Sequence, residues 1–276
     1  MPDVDCQKIL AEFIGYIFTR NLKLEKALIL YGSGANGKSV FYEIISALLG
    51  EHNISSYSLQ SLTKPDSYQR AEIQNKLLNY APEISNKQEA AISKQLISGE
   101  AVEARQIYGK PFIMKNYAKL MFNCNELPRD VEHTNAFFRR FLIVPFNVTI
   151  PESEQDPELP KKIIESELSG VFNWVLAGLE RILEQKRFTS SSVVNEQIKS
   201  YKKESDSVAM FLDEENYTPT LGSPYTYLKT IYGEYREFCN CNGYKTCSIK
   251  TLSDRLRTLD FTIEKSRDGR IVFARK

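Results

Sequence analysis

Two hydrophobic periods alternate along this chain. Ile9, Leu10, Phe13, Ile14, Ile17 and Phe18 recur at three-and-four spacing, which predicts an amphipathic opening helix. "ALILY" (27–31) is a short unbroken apolar run, the pattern of a parallel strand buried on both faces. "SVFYEIISALLG" (39–50) returns to the helical period and stops on a glycine suited to capping a helix. Further apolar runs at 76–84, 118–125 and 141–146 predict three more core strands. "SNKQEAAISKQLISGE" reads as a helix ending near Gly99, and residues 101–115 as two strands turning at Gly109–Lys110–Pro111. Strands that alternate with helices imply an α/β fold around a parallel sheet.

The later sequence changes character. A polar, proline-bracketed loop at 151–160 precedes a helix with Leu168, Val171, Phe172, Val175, Leu179, Ile182 and Leu183 on one face. Residues 189–213 turn polar and serine-rich, which suggests helical connectors or a linker rather than a core. Beyond them, Leu228, Ile231, Tyr232, Tyr235 and Phe238 form one helical face, and Ile249, Leu252, Leu256 and Leu259 a second. That second helix leaves Lys250, Ser253, Arg255 and Arg257 outward. A hairpin turning at Asp268–Gly269 follows, with Lys265, Arg267 and Arg270 near its tip. The expected segments are therefore 1–26 (helical), 27–150 (core), 151–205 (helical extension and linker) and 206–276 (a small separate domain).

Composition narrows little by itself: 42% hydrophobic and 26% charged is ordinary for a globular chain of 276 residues. The distribution of charge says more. Residues 218–276 hold eleven Lys/Arg against six Asp/Glu, while the whole chain balances 36 against 35. A basic end on a balanced chain predicts a partner that is a polyanion. Of the five cysteines, Cys239, Cys241 and Cys247 cluster, but C-x-C-x5-C lacks zinc-site spacing and both histidines lie far from that cluster in sequence, so the cysteines read as reduced thiols. The absence of a charged-then-apolar leader and of any run long enough to span a membrane predicts a soluble, cytoplasmic protein with no membrane partner.

The candidate chemistry begins at "GSGANGKS" (32–39), which fits G-x4-G-K-[ST] between a predicted strand and a predicted helix. In that setting the backbone amides of Gly32, Ser33, Gly34, Ala35, Asn36 and Gly37 would wrap phosphates. Lys38 would meet the β- and γ-phosphates of ATP, and Ser39 would bind Mg²⁺. Glu83, after the second core strand, is the candidate second Mg²⁺ group, although Pro82 stands where an acidic pair would place its first member. Glu83 also fits an ordinary helix-start carboxylate.

Several linked motifs beyond the loop resemble superfamily 3 helicases, specifically those of phage and plasmid primase–helicases. They are Lys94, Gly99–Glu100, Ala104–Arg105, the run Ile107–Tyr108–Gly109–Lys110–Pro111–Phe112, Asn125 with Pro128, and Phe138–Arg139–Arg140. "LSGVFNWVLAGLERIL" resembles the helical segment that follows the ATPase core in that family. The resemblance implies an AAA+-like P-loop ATPase core that assembles into a ring, usually a hexamer, with ATP at each subunit interface. It implies an arginine finger from the neighbouring subunit, for which the sequence pattern favours Arg140 with Arg139 close behind. Asn125 would orient water or sense the γ-phosphate, and Lys94 and Arg105 would serve the interface or nucleotide. Tyr108 and Lys110 would meet single-stranded DNA in the ring channel. The order helix, helix, basic hairpin implies a C-terminal winged helix, with Lys250, Arg255, Arg257, Lys265, Arg267 and Arg270 against DNA.

The expectation is an ATP-dependent DNA helicase that unwinds forked DNA in the replication of a phage, plasmid or other mobile element, together with a primase domain or primase partner. Two other classes stay open at this point: an ATP-switched initiator or loader that binds DNA without unwinding it, and a P-loop nucleotide kinase.

Overall fold

The computed structural model describes residues 1–82, 84, 90–128, 131 and 133–276. They divide into two units, the first holding residues 1–128 and 134–199 and the second 129–133 and 200–276.

The first unit opens with α1 (Val4–Ile17), whose N-terminus is capped by the Asp3 side chain accepting from the Cys6 amide. β1 (Ala27–Tyr31) and α2 (Lys38–Leu49) follow, then β2 (Ile54–Ser55), α3 (Leu59–Thr63), α4 (Gln69–Glu72) and β3 (Leu78–Ala81). After α5 (Ala90–Ser98), β4 (Val102–Ala104) and β5 (Phe112–Met114) pair as an antiparallel hairpin. β6 (Lys119–Cys124), α6 (Asn135–Phe138), β7 (Phe141–Pro145), α7 (Leu159–Ser166) and α8 (Leu168–Gln185) complete it. The central sheet has five strands in the order β2-β3-β6-β1-β7, all parallel. Register sets Tyr31 opposite Cys124 and Pro145, and Ala81 opposite Phe122, so these strands finish along one edge.

The apolar runs are continuous because β1 and β7 are buried on both faces. Ile9, Phe13 and Ile14 of α1 share a core with Leu28, Leu30, Leu142 and Val144. Fully burying one such side chain stabilises the fold by about 1.5–3 kcal/mol. α1 and α8 approach backbone to backbone: a Cβ on Gly178 would lie 2.4 Å from the Ala11 carbonyl carbon, and one on Gly15 would lie 2.7 Å from the Leu179 amide. This crossing corrects the predicted face of α8. Val175, Gly178 and Ile182 are its buried residues, whereas Phe172 and Leu183 are exposed. Beside the crossing, the fully buried Glu12 carboxylate accepts from Arg181 Nε at 2.6 Å, Gln185 Nε2 at 3.2 Å and the Thr189 amide at 2.8 Å.

α9 (Ser192–Glu204) carries the chain from the first unit into the second. There α10 (Ser207–Glu214), β8 (Thr218–Pro219), β9 (Tyr225–Tyr227), α11 (Leu228–Asn242), α12 (Ile249–Thr258), β10 (Ile263–Ser266) and β11 (Gly269–Arg275) form three helices beside an antiparallel sheet. The reading of 189–213 as connectors outside the core fails at α10. Asp206 caps that helix, and its Val208, Phe211 and Leu212 join Tyr235, Phe238, Leu252, Leu256 and Val272 in the core. Ser266 pairs with Gly269, so the hairpin turns at Arg267–Asp268, one residue before the predicted position.

Candidate functional site

β1 delivers the chain to Gly32, whose amide donates to the Cys124 carbonyl at 3.1 Å, while the Phe146 amide donates to Tyr31 at 2.6 Å. These bonds tie the loop to the ends of the two strands flanking β1. Gly32, Gly34 and Gly37 have φ of 154°, 127° and 87°. At Gly32 the need for glycine is doubled, because a Cβ there would sit 2.5 Å from the Phe146 carbonyl oxygen. Asn36 Nδ2 donates to that same oxygen at 3.0 Å, and the Ile150 amide closes on the Ala35 carbonyl at 2.8 Å.

The loop is thus fixed from outside, yet its own amides stay open. Among the described residues, no backbone N–H from Ser33 to Gly37 donates to a protein acceptor. Gly37 begins α2 without a side-chain cap, so the amides of its first turn and the positive end of its dipole add to this concave, donor-only surface. Lys38 is buried, and its ammonium folds back to the Gly32 carbonyl and to Asn36 Oδ1 at 3.1 Å. Burial pulls its pKa down from the ordinary lysine value. Ser39 is exposed in the first helical turn. Open amides, one cation and one hydroxyl fit a magnesium-bound phosphate chain.

The neighbouring strand ends hold the remaining candidates. Asn125, just past β6, is exposed beside the loop strand. Glu83 lies outside the described residues; Pro82, before it, is exposed. Sequence reading missed Asn123, a polar residue inside the apolar strand "KLMFNC", whose Oδ1 is buried with no hydrogen-bond partner among the described residues. Asn79, the corresponding oddity in β3, is satisfied by Ser55, the Tyr57 amide and the Tyr57 carbonyl.

The adjacent arginines at the end of α6 separate sharply. Arg140 is 8% exposed; its Nε donates to Ser98 Oγ at 2.9 Å, and another guanidinium nitrogen donates to the Ala136 carbonyl. This corrects the preference for Arg140 as a finger reaching a neighbour, since its guanidinium is committed inside its own chain. The Arg139 side chain is 64% exposed, with one ion pair to Glu25 at 3.3 Å.

The β4–β5 hairpin also departs from expectation. Its turn falls at Ile107–Tyr108, closed by the Gly109 amide on the Gln106 carbonyl at 2.9 Å, which leaves Lys110 and Pro111 on the returning arm. Tyr108 is fully exposed at φ 59°, Ile107 is exposed beside it, and so is Lys110. Arg105 Nε bonds the Gly109 carbonyl at 3.0 Å, so Arg105 clamps the tip of its own hairpin. Lys94 lies half-buried on α5.

In the second unit, Lys250, Arg257, Lys265, Arg267 and Arg270 are exposed, with Arg257 paired to Asp254 at 3.2 Å. Two residues expected outward are not. Ser253 is buried, and Arg255 is half-buried in an ion pair with the helix-capping Asp206. All five cysteines are free thiols, and no His/Cys/Asp/Glu cluster suited to a metal occurs among the described residues. No helix among them is long and apolar enough to cross a membrane.

Comparison with known proteins adds to this geometry. Residues 30–140 match a family of unknown function (DUF5906). The chain is 26% identical over 170 residues to "Putative helicase L207/L206" of Acanthamoeba polyphaga mimivirus, covering 58% of this chain and 18% of that protein. It is 24% identical over 294 residues to "Putative helicase 121R" of Invertebrate iridescent virus 3, covering 94% and 30%. The chain therefore spans less than a third of the length of these relatives. The A form apo structure of the NrS-1 C-terminal region shares the fold at TM-score 0.56 and 17% identity, over 96% of this chain and 69% of that one. A second apo structure of that region gives 0.51 at 18% identity, over 96% and 70%. The two viral relatives are thus named as putative helicases, and the solved structures share the fold.

Proposed function

We propose that this chain is the motor segment of a superfamily 3 DNA helicase, a ring-forming ATPase that moves on single-stranded DNA and opens duplex forks during viral or mobile-element replication. The observation that carries the reading is the open cradle at Gly32–Ser39: unpaired amides and an uncapped helix start surround a lysine at the end of a central parallel strand. The viral helicase relatives support it independently.

In this reading the core is a P-loop ATPase. The amides of residues 33–37 hold the β- and γ-phosphates of ATP, and Lys38 turns from its carbonyl partners toward the phosphates. The Gly32 amide stays on the Cys124 carbonyl, which corrects its expected place among the phosphate donors. Ser39 and Glu83 would hold Mg²⁺, which when bound offsets phosphate charge. Asn125 orients the attacking water; two residues before it, the buried Oδ1 of Asn123 has no hydrogen-bond partner among the described residues. Arg139 enters the neighbouring subunit's site, where a cation stabilises charge developing on the transferred phosphoryl group. Tyr108 and Lys110 grip one DNA strand through base stacking and phosphate contact. The second unit acts as a winged helix, with Lys250, Lys265, Arg267 and Arg270 against the duplex backbone. The half-buried Arg255 serves its fold, and Arg257 has a weaker claim because Asp254 shares its charge.

The test is ATP hydrolysis per subunit across a protein dilution series, with and without single-stranded DNA. Sites shared between subunits give a rate that rises with concentration and is stimulated by DNA. A flat rate blind to DNA would overturn the helicase reading and favour a self-contained kinase. Hydrolysis and DNA binding without fork unwinding would favour an initiator or loader.

A further inference from the structure

The opposite edge of the central sheet, where the parallel strands begin, carries a second concentration of cations. A cleft of about 210 Å³ lies between the end of α1, the turn before β3, the end of α5 and the start of β6. Six Lys/Arg residues line it: Arg20, Lys23, Lys26, Lys76, Lys115 and Lys119. Among the described residues, its lining includes no Asp or Glu. They come from three separate stretches of sequence, so only the fold assembles them, and the balanced overall charge conceals them.

Three of these cations are anchored on neutral acceptors. Lys26 donates to the Arg139 carbonyl, Lys76 to the His52 carbonyl, and Lys119 to the Tyr16 hydroxyl at 3.0 Å above that ring. Such partners orient an ammonium but leave its charge uncompensated. Arg20, Lys23 and Lys115 are exposed and have no acidic partner among the described residues. The nearby carboxylate of Glu25 is already paired with Arg139. Asn75, Asn116 and Thr19 add uncharged hydrogen-bonding groups. Tyr117, the one aromatic ring among the described lining residues, spends its hydroxyl on the Gln95 and Glu100 carbonyls, at 3.1 and 2.8 Å.

We infer that this cleft is a second anion site, built to take a run of adjacent phosphate groups through charge and hydrogen bonds, with no base recognition. Two sources present that chemistry: the backbone of a single nucleic-acid strand and a free polyphosphate. Continuity favours the strand, because Lys115 directly follows β5, the returning arm of the exposed hairpin. The site stands on its own residues and does not depend on the ATPase reading.

The test compares the full chain with an Arg20→Gln/Lys23→Gln/Lys115→Gln variant. Each replaced side chain is exposed, so thermal melting and basal ATP hydrolysis should not change. Oligothymidylate binding is measured between about 50 and 200 mM salt, and inorganic tripolyphosphate binding by calorimetry. Both are repeated on the Lys38→Ala background, so that anion held at the Gly32–Ser39 loop is not counted. Losing three phosphate contacts should flatten the slope of log K against log salt by about 2, at roughly 0.7 per contact on single strands. A loss confined to oligothymidylate supports the site with a nucleic-acid strand as its ligand, and a loss confined to tripolyphosphate supports it with a free polyphosphate. Unchanged binding of both overturns the proposal. If the triple variant melts early, Lys23→Gln and Lys115→Gln are read singly, each flattening the slope by about 0.7.

Discussion

Replacing Arg139 and Arg140 one at a time separates a working cation from a structural one. Arg140→Ala removes a side chain that is only 10% exposed and leaves the buried Ser98 hydroxyl without its donor. An unsatisfied buried acceptor costs about 1–3 kcal/mol, and the lost stem packing adds roughly 1 kcal/mol. The 3.9 Å pair with Glu25 contributes little, because that carboxylate is 44% exposed. The total is about 3 kcal/mol, which lowers the melting temperature of a unit this size by about 6–12 °C. Arg139→Ala gives up one exposed ion pair, so its stability should change by less than about 0.5 kcal/mol. As a cation reaching the neighbour's phosphates, however, it should lower kcat by about 10³-fold or more. The assay pairs thermal melting by circular dichroism with steady-state hydrolysis at saturating ATP. Mixing Arg139→Ala subunits with Lys38→Ala subunits should restore part of the rate, since some interfaces then combine an intact loop with an intact arginine. The reasoning fails if Arg139→Ala hydrolyses at the parent rate, or if Arg140→Ala abolishes hydrolysis without moving the melt.

Four further outcomes follow from the same geometry. Lys38→Ala should reduce hydrolysis to background while the second unit keeps its fold, read from initial rates and near-ultraviolet circular dichroism. Lys110→Ala should impair DNA-stimulated unwinding more than basal hydrolysis; equal loss of both would move Lys110 from the channel to the ATP site. Glu12→Ala should destabilise the first unit by about 3–5 kcal/mol in urea unfolding, because it leaves the Thr189 amide and Arg181 without their buried carboxylate. Burial lowers the His133 pKa from its ordinary 6.5, so its contribution to stability is present above pH 6.5 and lost as pH falls toward the folded value. His133→Gln should therefore show a smaller fall in melting temperature between pH 7.5 and pH 5.5 than the parent.

What the sequence made legible depended on length and on context. β1, β3, β6 and β7 could be read because each is an apolar run broken by a turn residue, and α1 because it is long enough to repeat its period. β2 has two residues, and α3 and α4 have five and four, too few for any period to show. α10 did carry a signal, with Val208, Phe211 and Leu212 at i, i+3 and i+4, but flanking serines and acids lowered the local average. The face of α8 was misjudged because glycines score as nothing in a hydrophobic pattern. Gly178 is nevertheless where α1 comes closest, which turns Phe172 and Leu183 away.

The site shows the same limit more sharply. Spacing located the loop at 32–39, since a glycine-rich turn between strand and helix has few other uses. It favoured Arg140 over Arg139, but neighbours in a helical turn point about 100° apart and only packing decides which one turns inward. Nor could it find the six-cation cleft, whose members lie as much as 99 positions apart and whose charge cancels in any long window. One end of the sheet gathers its donors within eight consecutive residues, and the other gathers them from three stretches of chain. The proposed phosphate binding is therefore readable from sequence at the first end and only from the fold at the second. Charge-neutralising variants at the second end, which leave the loop intact, are accordingly the means of learning whether one strand of nucleic acid engages both the hairpin and the strand-start edge.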